Sequence, residues 1–206
     1  MKKAAMFGLD ARIALAIFGA LSVISGAALY SAIKSAKVEQ LRQFLEEMVK
    51  ASEQYYLDNG KPLPQLSSSA NVLIASDLVS NRESLSTWNG PYIDGDIYST
   101  QHLKNSIINN YDSSIYTVYS LQKSSTWSAN DYWQSCILIN SDCSEYVTLH
   151  SNNSSSAVIA LGRLFSDLDE FVDNGDGAMT GKVRYVYTSA TVSYLIYMGL
   201  PRKRTI

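Results

Sequence analysis

Chemistry has few places to start in this sequence. A nucleophile or an acid–base pair needs a partner of suitable pKa within hydrogen-bond reach, and the chain offers two histidines, His102 and His150, and two cysteines, Cys136 and Cys143. It holds no Gly-x-Ser-x-Gly elbow, no His-Glu-x-x-His pair and no phosphate-cradling glycine loop. Serine and aspartate abound, but without a base beside them their abundance means little, so no catalytic residue and no enzyme is expected. Three patterns remain that could carry a role. They are a lone acid ahead of a long apolar run, two cysteines across a turn, and a concentration of carboxylates around Asp173.

The carboxylates come first because calcium is the obvious temptation. Asp167, Asp169, Glu170, Asp173 and Asp176 crowd the end of an apolar helical pattern, beside Gly175 and Gly177. Their spacing is not the Asp-x-Asp-x-Asp-Gly run with a distant Glu that an EF-hand loop requires. The reading is therefore a helix end followed by a tight turn into a strand, with no metal or other cofactor. Were a calcium ion bound, Asp173 and Asp176 would be its first ligands. Cys136 and Cys143 flank the turn residues Asn140-Ser141-Asp142 at positions that can face each other in a hairpin. A disulfide between them is favoured over a metal site, for which only His150 stands nearby, and over a reactive free thiol.

The acid is Asp10. It lies with Arg12 at the mouth of residues 13–33, a run of roughly twenty residues without a charge, long enough as a helix to cross about 30 Å of hydrocarbon. A carboxylate at such a place is costly unless it has work to do. Beyond the run, Val38, Leu41, Leu45, Met48, Ser52 and Tyr55 recur at intervals of three and four, with Lys37, Glu39, Gln43, Glu46, Glu47 and Lys50 on the remaining surface. One helix is therefore expected to pass from lipid into water and to stop at Asn59-Gly60, with Pro62 and Pro64 opposing a restart. From Asp10 to Asp58 it would measure on the order of 70 Å.

These residues carry a resemblance. Lys2-Lys3-Ala4-Ala5 followed by Met6-Phe7-Gly8-Leu9-Asp10 and the apolar run resembles the start of a type IV pilin or a type II secretion pseudopilin. That family has a short basic leader, a cut, an acidic fifth residue and a hydrophobic spine. Here Ala5 stands where glycine is usual, Asp10 replaces glutamate and Arg12 interrupts the apolar run. The resemblance implies cleavage between Ala5 and Met6, N-methylation of Met6, and pairing of the new amine of one subunit with Asp10 of the next. It also implies prepilin peptidase and an inner-membrane assembly platform as partners. Independently, a cation and a carboxylate in lipid each lower their cost by pairing. The small residues Ala16, Ala20, Ser22 and Gly26 would let helices approach closely. The alternative is an ordinary signal anchor whose Asp10 and Arg12 sit at the cytoplasmic interface.

Residues 60–206 then form one outward-facing globular domain, after a leader at 1–5 and a spine at 6–59. A short helix is expected over 70–78. Trp88-Asn89-Gly90-Pro91-Tyr92 is similar to a segment in the connecting region of many pilins and pseudopilins, and reads as a fixed turn whose aromatics pin it to a sheet. Strands are expected at 115–121, 132–140, 144–150, 182–188 and 191–198, with an amphipathic helix at 157–172. The formal charge of −2 over 206 residues lacks the basic excess of a dedicated nucleic-acid binder. The basic tail Arg202-Lys203-Arg204 leaves a contact with DNA, lipid headgroups or an acidic neighbour open.

The expected fold is α+β and pilin-like: a long N-terminal helix, transmembrane in its first half, packed on an antiparallel sheet of four or five strands. The expected function is a structural filament subunit that self-associates through this helix. Such a subunit spans the inner membrane once, with its N-terminus cytoplasmic and its C-terminal domain periplasmic, and later stands in a periplasmic or extracellular filament. A monomeric signal-anchored periplasmic binding module, or a DNA-uptake or adhesive minor pilin, is the alternative.

Overall fold

The computed structural model describes residues 4–67, 71–104, 106–109, 115–123, 143–151, 156–188 and 192–197. The chain divides into two units, Met1–Glu39 and Gln40–Ile206. One α-helix, α1 (Ala4–Asn59), supplies the described residues of the first unit and opens the second.

Over residues 13–33 of the first unit α1 is apolar on every side and exposed on every side. Leu15 is 70% exposed and Val23 73%, and the most apolar 18-residue window has a mean hydropathy of 2.1 with none of it buried. By length and composition this helix can cross a membrane. The Ser22 hydroxyl donates to the Phe18 carbonyl of the preceding turn at 2.8 Å. Gly19 and Gly26 have nothing within 4 Å of where a side chain would begin.

In the second unit the apolar surface of α1 narrows to a stripe. Leu41, Phe44, Leu45, Met48, Ser52 and Tyr55 are buried at intervals of three and four. They meet two long paired strands, β-branched and aromatic, whose ladders run antiparallel. In the numbering used below these are β3 (Ile115–Lys123) and β4 (Cys143–Ser151). The Tyr119 hydroxyl of β3 donates to the Met48 carbonyl at 2.5 Å, and the Ser52 hydroxyl donates to the Glu145 carboxylate of β4. In the register Tyr119 faces Val147 and Leu121 faces Glu145, so the residues that meet α1 share one face of the pair. Helix α1 ends where Gly60 turns left-handed at φ 65° and its N–H returns to the Tyr56 carbonyl at 2.8 Å.

The other elements are β1 (Asp96–Ile97), β2 (Leu103–Lys104), α2 (Ser106–Asn109), α3 (Ser156–Asp173), β5 (Val183–Thr188) and β6 (Val192–Tyr197). All six strands join one antiparallel sheet in the order β1-β2-β3-β4-β6-β5. Helix α3 packs on β5 and β6. The class is α+β, a long apolar N-terminal helix with an antiparallel sheet.

Several expectations need correction. Among the described residues the sheet has the four long strands expected at 115–121, 144–150, 182–188 and 191–198, and two unexpected two-residue strands at 96–97 and 103–104 extend its edge. The helix expected over 70–78 is a 3-10 turn of four residues, Ala75–Leu78. The residues before it run along β3 instead, where Leu73 N–H donates to the Tyr119 carbonyl at 2.9 Å and Leu121 N–H to Asn71 at 2.6 Å. An extended Val72-Leu73 thereby gains ladder bonds that an isolated short helix would not supply. The Trp88–Tyr92 segment is pinned to the end of α1 and to the 3-10 turn, not to the sheet. The Trp88 indole N–H donates to the Asp77 carbonyl at 2.8 Å, and the Tyr92 ring meets Tyr55 edge-on at 5.7 Å. Gly90, which forms a cis bond to Pro91, is required there: a Cβ would lie 2.6 Å from the Trp88 ring and 2.9 Å from Tyr92.

The burial of α1 sets a measurable contrast. Leu45→Ala, at a fully buried position, is expected to destabilise the full chain in detergent by about 2–5 kcal/mol. Leu15→Ala should stay within about 0.5 kcal/mol. Denaturant titration followed by circular dichroism checks this, and equal losses for the two would show that the stripe is not core.

Candidate metal centre

The residues singled out by sequence fall in different places. Ala5, Met6 and Asp10 lie in the first turns of α1, with Asp10 and Arg12 exposed. Cys143 opens β4 opposite Lys123, whereas Cys136 lies outside the described residues, and so does its pairing with Cys143. The strand expected at 132–140 and the basic tail lie outside them too. His102 sits in the turn between β1 and β2, with its Nδ1 2.7 Å from the Ser99 hydroxyl and its Nε2 3.3 Å from the Gln101 amide. Burial pushes its pKa down, which keeps the ring neutral at pH 7. Both of its nitrogens are therefore engaged in holding the turn.

What the fold does bring together is Asp169, Asp173 and Asp176. Each offers a carboxylate oxygen, and these lie within 4.8 Å of one another. The first of them is carried inward by the apolar stripe of α3. Phe165 and Leu168 are buried on that stripe, and Asp169, one turn after Phe165, is only 3% exposed. Asp173 follows Asp169 by four residues and so occupies the same face at the helix end.

The chain then folds back over this acidic helix end. Asn174 at φ 58° and Gly175 at φ 68° break the helix. Gly177 donates its N–H to Asp169 Oδ2 at 3.3 Å, and the N–H groups of Lys182 and Val183 donate to Asp173 Oδ2 at 2.8 and 2.7 Å. Thr180 ties the loop to itself through the Asp176 carbonyl at 2.8 Å. At Gly181, φ 71°, a Cβ would fall 2.5 Å from Asp173 Oδ2 and 2.7 Å from Asp176 Oδ2. Two carboxylates thus converge on the space that any other side chain would fill.

The electrostatics are unbalanced. Asp169 Oδ1 is buried and has no hydrogen-bond partner among the described residues. Burial raises the pKa of this carboxyl, the Gly177 N–H pulls it down, and the Asp176 and Asp173 charges push it up again. Three hard oxygen donors with one left unsatisfied suit a cation of the calcium class, which accepts irregular oxygen shells. The residues present fit such an ion, with Asp169, Asp173 and Asp176 as its carboxylate ligands. The expectation named Asp173 and Asp176. It missed Asp169 as a ligand, although the four-residue spacing on a helix face was a signal that could have found it.

Comparisons with family models, with curated proteins and with solved structures find no match for this chain. The loop must accordingly be judged on its own chemistry.

That chemistry has a pH sign. An acid whose folded-state pKa is raised loses stabilisation as pH climbs through that value, so the ion-free loop is most comfortable in acid and most strained by repulsion at neutrality. A bound cation competes with the proton. Calcium at about 100 times its Kd should raise the melting temperature by roughly 5–10 °C at pH 7, and by less at pH 5. Asp169→Asn should raise the ion-free melting temperature and abolish the calcium response. Differential scanning calorimetry with calcium against chelator decides it, and an unchanged melting temperature at pH 7 would leave the loop as a turn alone.

Proposed function

We propose that this chain is a structural subunit of a filament of the type IV pilus or type II secretion pseudopilus kind, assembled through α1. The observation that supports this most is the two-part character of that helix. Leu15, Phe18, Leu21, Val23 and Ile24 point in all directions around it and are all exposed, while 20 to 30 residues further on the same helix is one wall of a packed core. An anchor needs the first property only. A helix that is apolar all round in its first stretch suits bundling with copies of itself, first side by side in lipid and then in a filament core.

Asp10 supplies register in this reading. Cleavage after Ala5 gives Met6 a cationic amine, N-methylated if the resemblance extends to processing. In one helix the amine and Asp10 lie too near the same end to measure any distance. Between staggered neighbours the amine of one and Asp10 of the next form a pair whose cost in hydrocarbon falls when both are matched. The membrane-borne subunit would be oriented with Lys2 and Lys3 cytoplasmic and residues 60–206 on the far side. Pilus and pseudopilus subunits share this logic, and a DNA-uptake or adhesive minor pilin is a variant of it. A monomeric signal-anchored periplasmic binding module is the competing class, in which Asp10 and Arg12 would sit at the cytoplasmic interface and Asp10 would have no pairing role.

Mass spectrometry of the native N-terminus, joined to an assembly assay, separates the two. The filament reading expects a chain starting at Met6. Asp10→Ala is expected to insert and fold with a melting temperature unchanged within about 1 °C, yet to leave no filaments in sheared-surface or periplasmic fractions, while Asp10→Glu assembles. An intact Met1 on a protein that is monomeric by native mass would overturn the proposal.

A further inference from the structure

The 3-10 turn at Ala75–Leu78 is wholly buried, and it carries an acid. Asp77 is 2% exposed, and both oxygens of its carboxyl are buried without a hydrogen-bond partner among the described residues. An ionised carboxylate is rarely left so, because the charge has neither water nor a donor to replace it.

Compensation for a charge on this carboxyl would have to come from the elements around it. From the stretch after α1 comes Lys61, but its ammonium is 2.7 Å from the Glu83 carboxylate. From the loop after the turn comes Arg82, whose guanidinium donates to the Ser76 hydroxyl at 2.8 Å. That loop also presents Glu83, which repels a charge on Asp77. From α1 comes Tyr55, whose hydroxyl is likewise buried and without a partner among the described residues; burial first, then Asp77, Glu83 and Tyr92, push its pKa up to about 12. Tyr92, with Asp58 nearby, has its pKa raised by burial first, and its hydroxyl is engaged with the Asn89 N–H at 3.0 Å. The pKa of Asp77 itself is raised to about 6 by burial and then by Glu83, against the opposing pull of Arg82 and Lys61.

The same turn holds down a loop. The Asp77 carbonyl accepts the Trp88 indole N–H at 2.8 Å, and the Leu78 carbonyl accepts the Tyr92 N–H at 2.8 Å. The Trp88 and Tyr92 rings meet edge-on at 5.6 Å, and Tyr92 continues edge-on to Tyr55 at 5.7 Å. The Thr87 hydroxyl donates to Asn59, the last residue of α1, at 2.7 Å. What seats residues 87–92 against the end of α1 is therefore built on the backbone of the residue whose buried carboxyl has no partner among the described residues.

We propose that Asp77 is a proton-operated latch: with its carboxyl neutral the 87–92 segment stays seated on the 3-10 turn and the end of α1, and ionisation of the buried carboxyl releases it. The sign follows from linkage. The seated state binds the proton more tightly than the open, solvated state, so seating is strongest in acid and weakens as pH rises through the interval between about 4 and about 6. Ionisation raises the population of the open segment, in which Trp88, Tyr92 and the last turn of α1 are exposed. The device stands whether or not the chain forms filaments.

Hydrogen–deuterium exchange of the full chain in detergent, corrected for the intrinsic pH dependence of exchange, reads the seating of residues 79–95 directly. Between pH 5 and pH 7.5 the wild type should lose about tenfold in protection there. Asp77→Asn should keep its protection constant over the same range. The Asp77 side-chain carboxyl, followed by carbon NMR in the wild type, should titrate near pH 6, which keeps the test open even if the variant folds poorly. Constant protection in the wild type, an unaltered pH dependence in Asp77→Asn, or a carboxyl midpoint at or below pH 4 would each overturn the latch.

Discussion

One helix has to satisfy two solvents. Its first stretch shows apolar side chains in every direction with none of them buried among the described residues, and by length and composition it can cross a membrane. Its later stretch shows them along one stripe and hides that stripe against β3 and β4. Both stretches belong to one helix, Ala4–Asn59. The sheet supplies the wall for the stripe, and the Trp88–Tyr92 segment closes over the end.

The interface between the stripe and the sheet is not purely apolar. Tyr119 reaches a main-chain carbonyl of α1, and Glu145 is reached by Ser52, a residue at the edge of the same stripe. Burying such groups is tolerable only when each finds its partner, which restricts the helix to one position along the strands. Leucines alone would tolerate a slip of a turn more readily. The polar contacts therefore act as a gauge for where the helix sits, and Tyr119, whose hydroxyl burial drives its pKa far up, stays neutral throughout the physiological range.

What could be read from residues alone followed the strength of the local signal. The three-and-four periodicity of Leu41, Leu45, Met48 and Tyr55 and of Phe165 and Leu168 reports helix faces, and both helices end at the glycine-marked stops, Asn59-Gly60 and Asn174-Gly175. The β-branched runs around Val118, Val147 and Val186 report strands. The two-residue strands at 96–97 and 103–104 have no such signature, since a ladder of two pairs is created by its neighbours and not by propensity. Val72-Leu73 looked helical because nothing local reveals that β3 offers it ladder bonds from more than 40 residues away. The acidic site was half legible. Asp173 and Asp176 stand beside glycines where a turn is obvious, whereas Asp169 belongs to the cluster only because the apolar face of α3 draws it inward.

The order of the sheet carries a consequence for how the chain is made. β3 and β4 are neighbours, and so are β5 and β6, but the two pairs are stitched together between β4 and β6, not between β4 and β5. The last described strand therefore lies inside the sheet, with a partner on either flank. During synthesis the earlier half of the sheet must wait with one side of β4 bare until the final hairpin emerges, which makes this a slow closure dominated by distant pairings. A nascent chain halted before β6 would present that bare side to whatever strand came near it, including the same strand on another ribosome's product.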